Sequence, residues 1–148
     1  MSTAVWAFIG VVVGGLLTVA AQATAESLKA RAAARAREAQ RERATREFQR
    51  DTLIELQAAM ADYRAALCRD RSQLLPLRST EVQLSNARSR YQMLVHRVSS
   101  PAARDAALAW ETDALPWFQG DDSGTAAAEA EAWETAMRVT GEAVRATD

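Results

Sequence analysis

The side chains of this chain that could carry out chemistry are few and scattered. There is one histidine, His96, one cysteine, Cys68, and a set of carboxylates that thickens toward the C-terminus, among them Asp121, Asp122, Glu129, Glu131 and Glu134. General acid–base work needs such a group held against the proton it moves. A thiolate nucleophile needs a neighbouring base or cation. His96 sits beside Arg97 and off the apolar stripe that runs from Leu84 to Val98, which predicts a surface position. Cys68 adjoins Leu67 on an apolar face and is expected half-buried as a packing residue; alone, it can form no internal disulfide. Asp121-Asp122 and the glutamates that follow lack the interval and glycine of a calcium loop. Nothing in the spacing of the acids singles out a pair that a hydrolase would hold across a cleft. The expectation is a protein that is not an enzyme, with no catalytic residue, no metal ligand and no cofactor.

The elements that must position these residues begin with an apolar run. Ala4 to Ala21 carries no charge, and Thr18 is its only polar side chain. Eighteen helical residues span roughly 27 Å, close to the hydrocarbon thickness of a bilayer. Residues 1–25 are therefore expected to form a transmembrane anchor, with Trp6 at one headgroup boundary. Cations follow the run, beginning at Lys29 and Arg31, and none precedes it. The positive-inside rule then sends the N-terminus outward and keeps the remainder in the cytoplasm. A cleaved signal peptide is the competing reading: Ala21-Gln22-Ala23 and Ala23-Thr24-Ala25 have the small-x-small form, but the positive leading segment is missing. A buried helix of a soluble protein would show amphipathic alternation, which this run lacks. Gly10, Gly14 and Thr18 form a four-residue stripe of small side chains, a packing face through which two anchors could associate.

Residues 26–50 are rich in Ala, Arg, Glu and Gln and hold neither Gly nor Pro. From Ser27 to Arg50 eight cations stand against Glu38, Glu42 and Glu47, a local excess of five positive charges in a chain whose net charge is −1. No apolar stripe appears before Phe48, so a helical stalk, polar on all sides, is expected. Its first cations, Lys29, Arg31 and Arg35, are placed to face anionic lipid headgroups. Interspersed glutamates and the absence of stacking aromatics argue against nucleic acid as a partner. A straight helix would carry Cys68 roughly 70 Å beyond the anchor, which disfavours a palmitoyl chain there.

Residues 51–148 read as a small antiparallel bundle of helices at about 51–74, 80–98, 101–115 and 125–145. Leu53, Leu56, Met60, Tyr63, Leu67 and Leu74 make one 3-4 stripe; Leu84, Ala87, Tyr91, Leu94 and Val98 make the second. Pro76 ends the first helix, and Thr80 with Gln83 has the spacing of a capping box near the start of the second. Ser100 is the expected N-cap of the third, with Pro101 at its first position. Pro116 is expected to kink or stop it. The last helix should bury Ala126, Ala130, Trp133, Met137, Thr140 and Val144 and be weakened by Gly141. Trp117 and Phe118, after Leu115-Pro116, are candidate docking aromatics, with core filling as the plainer role. Residues 102–148 carry ten acids against three arginines, the opposite balance to the stalk.

Arginine almost wholly replaces lysine, and alanine is abundant. With an anchor of the kind Ile9–Gln22, an Arg-rich helix over Lys29–Arg50 and a bundle containing Arg90-Tyr91, Leu94 and Val98 to Arg104, the chain resembles a loose group of uncharacterised single-pass membrane proteins of high-GC Gram-positive bacteria and their phages. The resemblance spans most of the chain and implies the same all-α order of parts, with no activity attached. The expected role is that of an interaction or scaffold protein at the inner membrane, with membrane lipids and a protein partner or a second copy as its partners. The alternatives are a small phage- or prophage-type membrane effector and a secreted helical protein with a cleaved signal peptide.

Overall fold

The structure is a computed structural model that describes residues 3–72 and 78–147, with side chains from residue 26 onward except residues 27 and 78. Every regular element in it is a helix: α1 Thr3–Ser72, α2 Arg78–Arg97, α3 Pro101–Gln119 and α4 Ala126–Arg145, with no strand among the described residues. The chain divides into two units, Met1–Ala44 and Thr45–Asp148. In the first unit, every described side chain, Glu26 and Leu28 through Ala44, is exposed. That is what a helix without an apolar stripe should do. Among the described residues no helix is long and apolar enough to cross a membrane. The expected span 4–21 and its face Gly10, Gly14 and Thr18 lie outside the residues whose side chains are described, as does Leu74.

The second unit is a four-helix bundle. Leu53, Leu56, Met60, Tyr63 and Leu67 of α1, Tyr91, Leu94, Val95 and Val98 of α2, and Ala103, Ala107, Trp110, Ala114 and Phe118 of α3 form one buried core. Cross-helix bonds set the directions. Gln49 meets Ser99 and Asp62 meets Arg90, so α2 runs antiparallel to this part of α1. Arg88 meets Glu111 and Tyr91 meets Ala107, so α3 runs antiparallel to α2. Gln57 meets Thr140 and Arg64 meets Glu129, so α4 returns antiparallel to α1. The helices therefore alternate up and down, as short connections favour. The bundle begins earlier than residue 51. Thr45 already belongs to it, because Gln49 accepts a bond from the Ser99 N–H at 3.0 Å and Arg97 lies over the Phe48 ring at 5.7 Å.

Local chemistry accounts for most helix ends. The Ser100 hydroxyl accepts from the Ala103 N–H, with Pro101 at the first position of α3, and Thr125 caps α4 through the Ala128 N–H. The second helix starts at Arg78, so Thr80 lies inside its first turn and is buried. Pro116 does not stop α3, which continues to Gln119. A proline inside a helix costs about 3 kcal/mol. Against that stand the burial of Phe118 and a left-handed cap at Gly120 (φ +76°), whose N–H bonds back to Trp117. Gly124 is required for space: a Cβ there would run into the backbone of Pro116 and Trp117.

The last helix keeps the second half of its expected face, half-buried Met137 included, and differs at its start. Ala126 and Ala130 are exposed, while Glu129, Ala136 and Thr140 are buried, with Trp133 and Val144 half-buried beside them. Hydropathy places a glutamate outward; here three N–H donors, two from Arg64 and one from Trp110, hold it inward. Cys68 is exposed rather than half-buried. Arg64 lies opposite Glu129 and α4 begins only at Ala126, so one turn beyond Arg64 no fourth helix remains to cover α1.

Trp110 is fully buried and sits among Tyr63 and Tyr91, each at 5.9 Å and edge-on, and Trp133 at 5.3 Å. Such pairs add about 0.5–1.5 kcal/mol each beyond area burial. Trp110→Ala should lower unfolding free energy by about 3–5 kcal/mol in guanidinium titration. Gly141→Ala should raise it by about 0.5–1 kcal/mol, since the new methyl would meet nothing nearer than Gln57 Nε2 at 3.6 Å.

Candidate functional site

The most concentrated chemistry in the bundle is a buried ion pair. Glu129 enters in the first turn of α4, where the positive end of the helix favours a carboxylate, and only 3% of its side chain is exposed. Arg64 reaches it from α1 as a fork, Nε to Oε1 and Nη2 to Oε2, both at 2.8 Å. The indole N–H of Trp110 donates to Oε1 at 3.3 Å. Hydrogen bonding to Glu129 is the chief cause that pushes the Arg64 guanidinium above its ordinary value. Arg64 also lies over the Trp133 ring at 4.8 Å, so its planar face and its donors are both used. Three helices, α1, α3 and α4, thus meet at one carboxylate.

A second polar group lies at the α1–α2–α3 junction. Tyr63 donates to Glu111 at 3.3 Å, and Arg88 donates to the same oxygen at 3.3 Å. Tyr91 donates to the Ala107 carbonyl at 2.8 Å. Burial, and then the nearby Glu111 charge, pushes the Tyr63 phenol up to about 12. Tyr91 is pushed up as well, first by burial and then by Glu111. Phenols held protonated in this way are hydrogen-bond donors at neutral pH and not bases or nucleophiles.

Among the described residues, two grooves open on the bundle surface. One, of about 290 Å³, lies between α3 and α4 and is lined by Ala106, Ala109, Trp110, Asp113, Glu131 and Ala132. The other, of about 450 Å³, is walled by Tyr63, Leu67, Leu84, Leu115 and Phe118, with Asp70, Glu81 and Arg88 at its edges. Neither groove contains His96 or Cys68, which are exposed elsewhere. No group of three or more metal-ligating side chains occurs among the described residues.

The residues singled out in the sequence fall in different places. Lys29, Arg31 and Arg35 are exposed on α1 in the first unit. Phe118 is 7% exposed and belongs to the core, so it is not an outward docking aromatic. Trp117 is half-buried, packed edge-on against Phe118 at 4.7 Å and covered by Arg71 at 4.0 Å from its ring centre. The pair Arg64–Glu129 escaped the sequence reading because its members lie 65 positions apart. One signal pointed to it: Glu129, Trp133, Ala136 and Thr140 repeat with the 4-3-4 spacing of a buried face. Comparison with protein-family models, with curated proteins and with solved structures finds no match.

Glu129→Ala should cost about 3 kcal/mol, the low end for breaking a buried pair because Arg64 is a third exposed. Replacing both partners by leucine should recover most of that loss, a contrast that denaturant titration of the three variants resolves. The tyrosines predict an alkaline effect. Tyr63 holds its proton more tightly folded, at about 12, than unfolded, at about 10. Its contribution is therefore complete below pH ~10 and is lost as pH rises through ~12. Tyr63→Phe should flatten that decline in stability, and absorbance at 295 nm should show tyrosinate forming late.

Proposed function

We propose that this chain is an interaction or scaffold protein of the inner membrane, inserted through residues 4–21 and presenting its helical bundle to a protein partner or a second copy in the cytoplasm. One observation carries the reading: an uncharged run of eighteen residues, Ala4 to Ala21, is followed, after Glu26, by the cations Lys29, Arg31 and Arg35. The run favours hydrocarbon and the cations favour the cytoplasmic face. Lys29, Arg31 and Arg35 are exposed, which suits contact with anionic headgroups at about 1 kcal/mol per cation. The stripe Gly10, Gly14 and Thr18 suits close packing of two anchors.

The bundle supports binding rather than catalysis. Its buried carboxylate is held at both oxygens, and its buried phenols are kept protonated by their surroundings. Polar groups committed in this way orient helices.

The full-length chain is expected in the pellet after high-speed sedimentation of lysed cells and should resist alkaline carbonate. Deletion of residues 4–21 should move it to the supernatant. A C-terminal fluorescent protein should be bright and a C-terminal alkaline phosphatase inactive. Reversing Lys29, Arg31 and Arg35 to glutamate should yield a mixed orientation. A soluble full-length chain, or a mature N-terminus at Thr24 or Glu26, would sink the proposal.

A further inference from the structure

The groove between α3 and α4 brings two features together. Four of its lining residues are alanines, Ala106, Ala109, Ala128 and Ala132, and two are carboxylates, Asp113 from α3 and Glu131 from α4. No cation is among its lining residues. Both carboxylates are exposed, and neither takes part in an ion pair among the described residues. Glu129 and Glu111, by contrast, are each held by an arginine. Small apolar side chains beside unanswered acids suit an incoming arginine. Its stem lies along apolar surface while its fork reaches a carboxylate.

The chain carries the complementary surface itself. Residues 27–50 hold eight cations against three glutamates, and residues 102–148 hold ten acids against three arginines. Of the eight cations, Lys29, Arg31 and Arg35 lie nearest the apolar run, and Arg46 and Arg50 belong to the bundle unit. That leaves Arg37, Arg41 and Arg43. Arg37 and Arg41 stand one turn apart on α1, and Ala34 and Ala44 continue the same face three residues before and after them. All four are exposed. Two cations between alanines thus match two carboxylates among alanines.

We propose that the α3–α4 groove of one copy binds Arg37 and Arg41 of a second copy. The inference rests on the second-copy reading of the proposed function and names its surface. Every copy carries both halves, so two chains exchanging the contact reciprocally close as a dimer. Exposed charge pairs are individually weak and are screened by salt. Anchoring in one bilayer raises the effective concentration at which such surfaces meet.

Cross-linking of full-length chains in phosphatidylcholine vesicles, whose neutral surface does not compete for arginines, tests it. Cys68→Ser removes the native thiol. Ala34→Cys in one such chain and Ala128→Cys in another, differently tagged, leave every charge in place. At low salt a short bismaleimide should join these two at least about 10-fold faster than it joins Ala34→Cys to Ala58→Cys, an equally exposed position on α1. Raising salt to about 0.5 M should slow the first reaction several-fold. Asp113→Arg with Glu131→Arg in the receiving chain should reduce it to the control rate. Arg37→Glu with Arg41→Glu in the donating chain should then restore it. Flotation of the vesicles scores insertion separately, and a chain that does not float is cross-linked in concentrated solution, so loss of the anchor and loss of the contact are read apart. Equal rates for Ala128→Cys and Ala58→Cys would overturn the proposal; that comparison needs no charge reversal and stays decisive if a reversed chain misfolds. A reversed pair that fails to restore the rate, with helical circular dichroism intact in both chains, would overturn it too.

Discussion

A fully buried indole brings an N–H with it, and a buried N–H must find an acceptor. Trp110 imposes that condition at the centre of the bundle. Its acceptor is the Glu129 carboxylate, which is itself buried and so requires a cation. Arg64 answers both oxygens, and its guanidinium lies over the Trp133 ring. One requirement thus generates the next across α3, α4 and α1. The Tyr63 and Tyr91 rings close around the same indole from the other side and bring α2 into the arrangement.

The consequence is a bundle with two kinds of adhesion. Between α1, α2 and α3 the contact is broad and apolar, from Leu53 down to Leu67 and from Tyr91 to Val98. Broad contacts favour closeness but discriminate poorly between neighbouring registers. Between α4 and the rest, Trp133, Val144, Ala132, Ala136 and Ala143 pack against the core, and the register is set by bonds that work in one position only: a forked guanidinium, an indole N–H, and an amide on a hydroxyl. Such pairs add less to net stability than their geometry suggests, because both charges leave water. Their strength is that shifting α4 by a turn would strand a buried carboxylate.

The first unit follows different physics. Its described helix buries no side chain, and its alanines, arginines and glutamates are good helix formers that keep their charges in solvent. Such a segment contributes reach and charge. The bundle contributes surfaces: a groove lined by alanines with Asp113 and Glu131, and a groove lined by Leu84, Leu115 and Phe118 among others. The bundle's buried charges serve its own assembly.

Helical class, the start of α3 at Ser100-Pro101 and two core faces were legible in the residues. Period governs these, and period is local. Leu53 to Leu67 and Tyr91 to Val98 repeat at helical spacing, and Ser100-Pro101 announces a helix start without reference to anything distant. Tertiary structure decided the features that depend on a partner far along the chain. Whether Pro116 ends a helix depends on what Phe118 can reach once the turn continues. Cys68 becomes exposed because the helix opposite it has already ended. Glu129 goes inward because Arg64 and Trp110 wait there, and no single-residue scale can represent a charge whose cost of burial is offset by donors 65 and 19 positions away. Spacing along the chain determined which faces were apolar; the bundle itself decided which polar residues could afford to join them.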